Sequence, residues 1–209
     1  MKTRKLLIAL VLGMGTATAW AGETEEKPLY KDSLAPIESR VEDLLRRMTL
    51  HEKTLQLQNR PVGRIDEIES IFQGQSYGCT HEMGKTAEEC AGIYNELQKY
   101  MLTKTRLGIP ILTAVEGIQG ILQNNSTLFP HSIAQGSTFN PELIERMTDA
   151  AGKEAAAMGI HQVLSPVFDI ARELRWGRVE ETYGEDPFLI SEMGIGFVKG
   201  YQKHQITCT

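Results

Sequence analysis

The sequence predicts an α/β protein built on a parallel sheet with helical crossovers, and three observations predict it. After residue 86 the patterns alternate: helix, strand, helix, strand, helix, then a strand onset. Two of the strand-like runs, "IPILTAV" and "IHQVLSPVFDI", are apolar and bounded by punctuating residues, as strands covered on both faces are. The closing "QITCT" reads as the beginning of one more strand.

The elements follow in order from the amino terminus. Residues 1–21 carry Lys2, Arg4 and Lys5, then an apolar run from Leu6 to Leu12, then an Ala-x-Ala pattern at Ala19 and Ala21, which is the build of a cleaved export signal. Glycines and threonines interrupt the apolar run well short of the roughly 20 residues a membrane span needs. A periplasmic or secreted location is expected, with no membrane span. Residues 22–35 form a polar leader. The domain proper is expected over residues 36–209. Pro36 opens a helix in which Ile37, Val41, Leu44, Leu45 and Met48 recur at helical spacing. Thr49 with Glu52 makes a reciprocal cap for the next helix.

From Asn59 to Lys85 periodicity is weak and long loops are expected, with one short strand or helical turn. Thr86 with Glu89 caps another helix, whose apolar face holds Cys90, Ile93, Tyr94 and Leu97. Asn140 followed by Pro141 starts the helix that runs to Gly159, since asparagine caps and proline has no N–H to lose. Pro187 starts the last helix, with Asp186 as its cap.

Composition narrows the partners. The chain has 22 basic and 27 acidic residues, a net charge of −5. Loss of residues 1–21 removes three cations and no anion. A nucleic acid needs a basic footprint that is missing, whereas a small neutral ligand is compatible. Cys79, Cys90 and Cys208 are three. The first two either pair in an oxidising compartment or stay as buried thiols. No histidine or cysteine spacing suits a metal, no phosphate-loop pattern is present in "GIGFVKG", and no cofactor is expected.

The densest chemistry is "RWGRVEETYGEDP", residues 175 to 187. It gathers two arginines, four carboxylates, a tryptophan and a tyrosine just past the second covered run. Parallel α/β sheets present ligands at the carboxyl ends of their strands, so this loop and Glu116, which ends the first covered run, fall at the same rim. Arginine offers a fork of donors, carboxylates accept, and tryptophan gives an apolar face for the C–H edge of a sugar. Those needs describe a small neutral sugar or oligosaccharide. The plainer alternative is a structural knot of ion pairs and space-filling aromatics. Asp169 either faces a ligand or binds loop N–H groups, and His131 and His161 are read as ordinary polar residues.

The strings "MTLHEK", "RLGIPIL", "TLFPHSIAQGSTFNPELIERM" and "SPVFDIARELRWGRVEETYGEDPFLISEMGIGFVKGYQ" resemble the amino-terminal domain of glycoside hydrolase family 3, the β-glucosidase and β-xylosidase branch. The resemblance spans residues 38 to 209. It implies an incomplete (β/α)8 TIM-like barrel, N-terminal portion only, belonging to an exo-acting retaining β-glycosidase. A β-glucosidase is the first expectation, with a β-xylosidase or a noncatalytic sugar-binding fragment as alternatives. It places Glu116 and Arg178 on the sugar, with Glu181 supporting Arg178 and Trp176 alongside. The family usually has histidine where this chain has Gln119. No catalytic residue is assigned, because the family's nucleophile and acid lie beyond "ITCT", in the rest of the barrel and a following α/β sandwich domain. The segment alone is therefore expected to be inactive and, with open strand edges, prone to aggregate.

Overall fold

The computed structural model describes residues 28–209. The expected export signal and the first part of the leader lie outside the described residues. The chain divides into two compact units, Met1–Arg47 and Met48–Thr209.

In the first unit a 3-10 turn, Leu29–Lys31, precedes α1 (Ile37–Arg47). Asp43 ties the two together, accepting from the Tyr30 N–H at 3.1 Å and from Arg47 Nε at 3.0 Å. The hydrogen bond from Arg47 holds the Asp43 carboxyl below the usual carboxylate range against the opposing effect of burial.

The second unit begins with α2 (Leu50–Leu55), whose Thr49 and Glu52 cap each other as their spacing requires. The pattern-poor stretch that follows holds more structure than expected: a 3-10 turn at Ile65–Glu67, α3 (Ile68–Phe72) and β1 (Cys79–His81). Ile68 and Phe72 anchor this region in the core. Next come α4 (Ala87–Lys104), capped by Thr86 and Glu89, and β2 (Leu112–Val115). The buried face of α4 is the expected Cys90, Ile93, Tyr94 and Leu97, extended by Tyr100 and Met101. A short α5 (Ser132–Gly136) precedes α6 (Pro141–Ala157), in which Asn140 Oδ1 accepts from the Leu143 N–H at 3.0 Å. β3 (Gln162–Val163), α7 (Pro187–Gln202) and β4 (Thr207–Cys208) complete the unit. Asp186 caps α7 through the Leu189 N–H at 2.9 Å.

The four strands form one parallel sheet in the order β1-β2-β3-β4. Two expectations need correction. The run "IHQVLSPVFDI" is not a long strand: regular pairing covers only Gln162–Val163, with single bonds onward from Leu164 N to Val115 O and from Thr209 N to Ser165 O. Pro166 has no N–H for a ladder, and the chain leaves the sheet there as a long loop. Nor are the strands buried on both faces. Thr113, Val115 and Val163 are fully buried, whereas Leu112 is exposed and Gln162 half-buried. One face is sealed by helices and the other is partly open.

Val115 and Val163 share a single core with Ile144, Ala151 and Ala155 of α6 and Phe197 and Tyr201 of α7. The two helices pack backbone to backbone through glycine. A Cβ on Gly196 would lie 2.4 Å from Pro141 O, and one on Gly200 would lie 1.9 Å from Thr148 Oγ1. These are the glycines of "GIGFVKG", and close helix contact is the reason for them.

The two edges of the sheet differ. Along β1, Asn59 forms a bridge to Cys79, and the Arg60 N–H donates to Cys79 O at 2.9 Å. Among the described residues β4 has no strand on its outer side. Cys79, Cys90 and Cys208 are all free thiols, so of the two readings of the first pair the structure has the unpaired one. Burial pushes Cys90 and Cys208 up to about 11. Among the described residues no helix is long and apolar enough to cross a membrane, and no group of three or more metal-ligating side chains is present.

Candidate functional site

All four strands run in one direction, so their carboxyl ends lie on one rim, and the segments leaving them carry the polar side chains. Glu116 directly follows β2 and is half-buried. Its backbone is fixed at several points. Leu122 N donates to Glu116 O at 3.2 Å, and Phe129 N donates to Gln119 O at 2.8 Å, which closes the loop after β2 on itself.

The loop from Ser165 to Asp186 supplies the other wall. It is built from two 3-10 turns, Leu174–Trp176 and Val179–Glu181, joined through Gly177. Gly177 has φ +91° with open space around it, so backbone conformation and not crowding demands glycine in this Trp-Gly-Arg sequence. Tyr183 is 1% exposed and pins the loop down. Its backbone lies so close to α5 that a Cβ on Gly136 would meet Tyr183 O at 2.5 Å, and Ala171 N donates to Gly184 O at 3.0 Å. Burial pushes the Tyr183 phenol up, keeping it neutral.

On this support the side chains sort into two groups. Arg175 pairs with Glu173 at the solvent end, with Nε to Oε1 at 2.8 Å, and that pairing lowers Glu173 to about 2. Arg178 forms the second pair with Glu181, Nε to both carboxylate oxygens at 2.9 Å and Nη2 to Oε2. The hydrogen bond from Arg178 lowers the Glu181 pKa, and the pair in turn raises Arg178. Two further carboxylates, Glu116 and Asp169, also act on Arg178 through their charge, as His131 does on Glu181. The guanidinium lies 6.0 Å from the Trp176 ring centroid, within cation–π range, and Trp176 is 40% exposed.

Of the four residues singled out from sequence, Arg178 contacts both Glu181 and Trp176, and the charge of Glu116 acts on the arginine. Asp169 acts on the same arginine, and His131 on Glu181, through charge alone. Sequence reasoning left Asp169 open and set His131 aside, because their proximity arises from the long loop and from α5, neither of which has periodicity to read. His161, read as an ordinary polar residue, is a strut. Thr113 Oγ1 donates to Gly159 O at 2.6 Å, and its one hydrogen being used, it accepts from Nδ1–H of His161 at 2.6 Å. Gln119 Oε1 and His81 Nε2 are buried acceptors or donors with no partner among the described residues.

A parallel sheet with helical crossovers and a charged, aromatic rim at its strand ends defines the opening portion of a (β/α)8 barrel. The chain belongs to glycosyl hydrolase family 3: residues 49–209 match the family's N-terminal domain. It is 31% identical over 95% of its length to a candidate β-xylosidase of Formosa agariphila, covering 28% of that protein. A β-xylosidase of the same organism is 43% identical over 103 residues, 46% of this chain and 14% of that one. Among solved structures, a β-glucosidase from Erythrobacter marinus superimposes with a TM-score of 0.76 at 28% identity, over 87% of this chain and 26% of that one. The chain thus spans less than a third of the length of these relatives.

Proposed function

We propose that this chain forms the sugar-holding part of an exported glycoside hydrolase that removes terminal β-linked sugars, with β-xylosides as the preferred class. The observation that carries this is the Arg178 guanidinium, paired with Glu181 beside an exposed tryptophan and within the charge influence of Glu116 and Asp169, at the rim of a family 3 barrel. In this reading Glu116 accepts from ring hydroxyls, Arg178 donates to them while Glu181 keeps its fork oriented, and Trp176 covers an apolar edge of the ring. The choice of xylose over glucose is supported by the two Formosa relatives and reverses the order expected from the motifs alone. A β-glucosidase remains the second reading, favoured by the Erythrobacter structure.

Retaining hydrolysis needs two carboxyl groups about 5 to 5.5 Å apart, one attacking the anomeric carbon and one protonating the leaving oxygen. Glu181 is committed to Arg178, and the reading gives no local carboxylate either role, so it expects no turnover by residues 1–209 alone. Export to the periplasm or exterior is supported by the pattern of residues 1–21. The test is an assay with nitrophenyl β-xyloside and β-glucoside on a full-length family 3 protein carrying this segment. Faster hydrolysis of the xyloside is expected. Hydrolysis of neither overturns the assignment, and a glucoside preference leaves only the second reading.

A further inference from the structure

Gly117, the residue immediately after Glu116, sits in a buried clamp. Its N–H donates to Ser165 Oγ at 3.0 Å, and its carbonyl accepts from the Tyr201 hydroxyl at 2.9 Å. Both partners come from far along the chain. Ser165 stands where β3 gives way to the long loop, Tyr201 is in the last turn of α7, and each is 0% exposed. No side chain fits at Gly117, since a Cβ would lie 2.7 Å from Val163 Cγ1 and 3.0 Å from the Tyr201 oxygen. The Glu116 carbonyl is held in addition by Leu122 N.

The Ser165 and Leu122 bonds hold the N–H and the carbonyl of the Glu116–Gly117 peptide unit, and the Tyr201 bond holds the next unit, between Gly117 and Ile118. A half-buried carboxylate has little freedom beyond its own χ angles once the neighbouring peptides are fixed. We infer that Ser165 and Tyr201 are positioning residues for Glu116: they touch no sugar and act by setting the backbone plane from which the carboxylate projects. The inference rests on the reading of Glu116 as a sugar-holding group. It also gives the buried Tyr201 hydroxyl a purpose that packing alone does not require, because phenylalanine would fill the same space. Burial pushes that phenol well up, so it stays a neutral donor to the Gly117 carbonyl.

The test titrates a full-length family 3 protein carrying this segment with D-xylose and D-glucose, reading Kd by calorimetry and the 13C-labelled Glu116 carboxyl by NMR. Tyr201→Phe and Ser165→Ala each remove one oxygen. Each is expected to raise Kd about tenfold, the loss of one well-placed hydrogen bond's worth of order, and to broaden or split the Glu116 carboxyl resonance. Ile144→Val, in the buried face of α6, controls for stability: it should lower Tm without changing either readout. Unchanged sugar binding and an unchanged carboxyl resonance in Tyr201→Phe, with Glu116→Ala abolishing binding, would overturn the positioning role and leave the subsite intact. Equal binding by wild type and Glu116→Ala, or none by either, removes the subsite reading and the positioning role with it. Should Ser165→Ala fail to fold, Tyr201→Phe decides the matter, because it keeps the packed ring.

Discussion

Arg178 spends at least two of its five N–H groups on Glu181, and with its side chain 55% exposed the others are accessible to a ligand. Lysine at this position keeps the charge and loses the fork. Arg178→Lys should therefore weaken sugar binding by tenfold or more, a loss of about 1.5–3 kcal/mol for a charge-assisted bond, measured by the same titration. Glu181→Gln should have a smaller effect, since its amide can still hold one N–H. The grouping of Arg178, Glu181 and Trp176 was legible in the sequence because all three fall within six residues and the Trp-Gly-Arg pattern is distinctive. What was not legible is the company they keep. Asp169, His131 and the Ser165–Gly117–Tyr201 clamp come together only through tertiary folding, and a serine, a glycine and a tyrosine separated by up to 84 positions carry no local signal.

Among the elements, the paired glycines on α7 allow a prediction of sign. Alanine in place of glycine in a helix ordinarily adds roughly 0.5–1 kcal/mol of stability. At Gly92 of α4 the nearest side-chain atom to a new Cβ is 4.0 Å away, so Gly92→Ala should stabilise by about that amount. At Gly200 the new Cβ overlaps Thr148 Oγ1 and sits 2.5 Å from Glu145 O, so Gly200→Ala should destabilise by about 1–3 kcal/mol as α6 and α7 are forced apart. Thermal unfolding of the two variants beside wild type checks both directions. The helices themselves were well marked by their caps, Thr86 with Glu89, Asn140 with Pro141, and Asp186 with Pro187. The strands were overestimated, because an apolar run reports burial and not the length of a hydrogen-bonded ladder.

The cap of α2 adds a pH dependence. Glu52 receives Arg106 Nε at 2.8 Å as well as the Thr49 N–H, and its pKa falls to about 2, first through the hydrogen bond from Arg106. A lowered folded-state pKa stabilises the fold fully above the unfolded value near 4.5, and that stability is lost as pH falls toward 2. Acid unfolding of Arg106→Met should show a shallower slope across that window than the wild type, whereas an identical slope would rule out the pair as its source.

On the scale of the whole molecule, β4 has no strand on its outer side among the described residues. The outer face of α7 bears a groove of about 490 Å³ lined by Phe168, Ile170, Ile190, Ile195 and Val198. Hydrophobic surface of this kind, in a molecule that also has an open sheet edge among the described residues, favours association. Concentration-dependent light scattering of the 209-residue chain should therefore rise steeply, and Ile195→Lys should flatten it. A scattering curve already flat in the wild type would show that the groove is not adhesive.

The asymmetry of the sheet also sets where the molecule can grow. With the segment from Gln58 to Arg60 laid along β1, the outer edge of that flank belongs to this segment, whereas Thr207 and Cys208 present the edge of the other. A strand laid against that second edge would meet a template whose register Gln162 and Val163 have set.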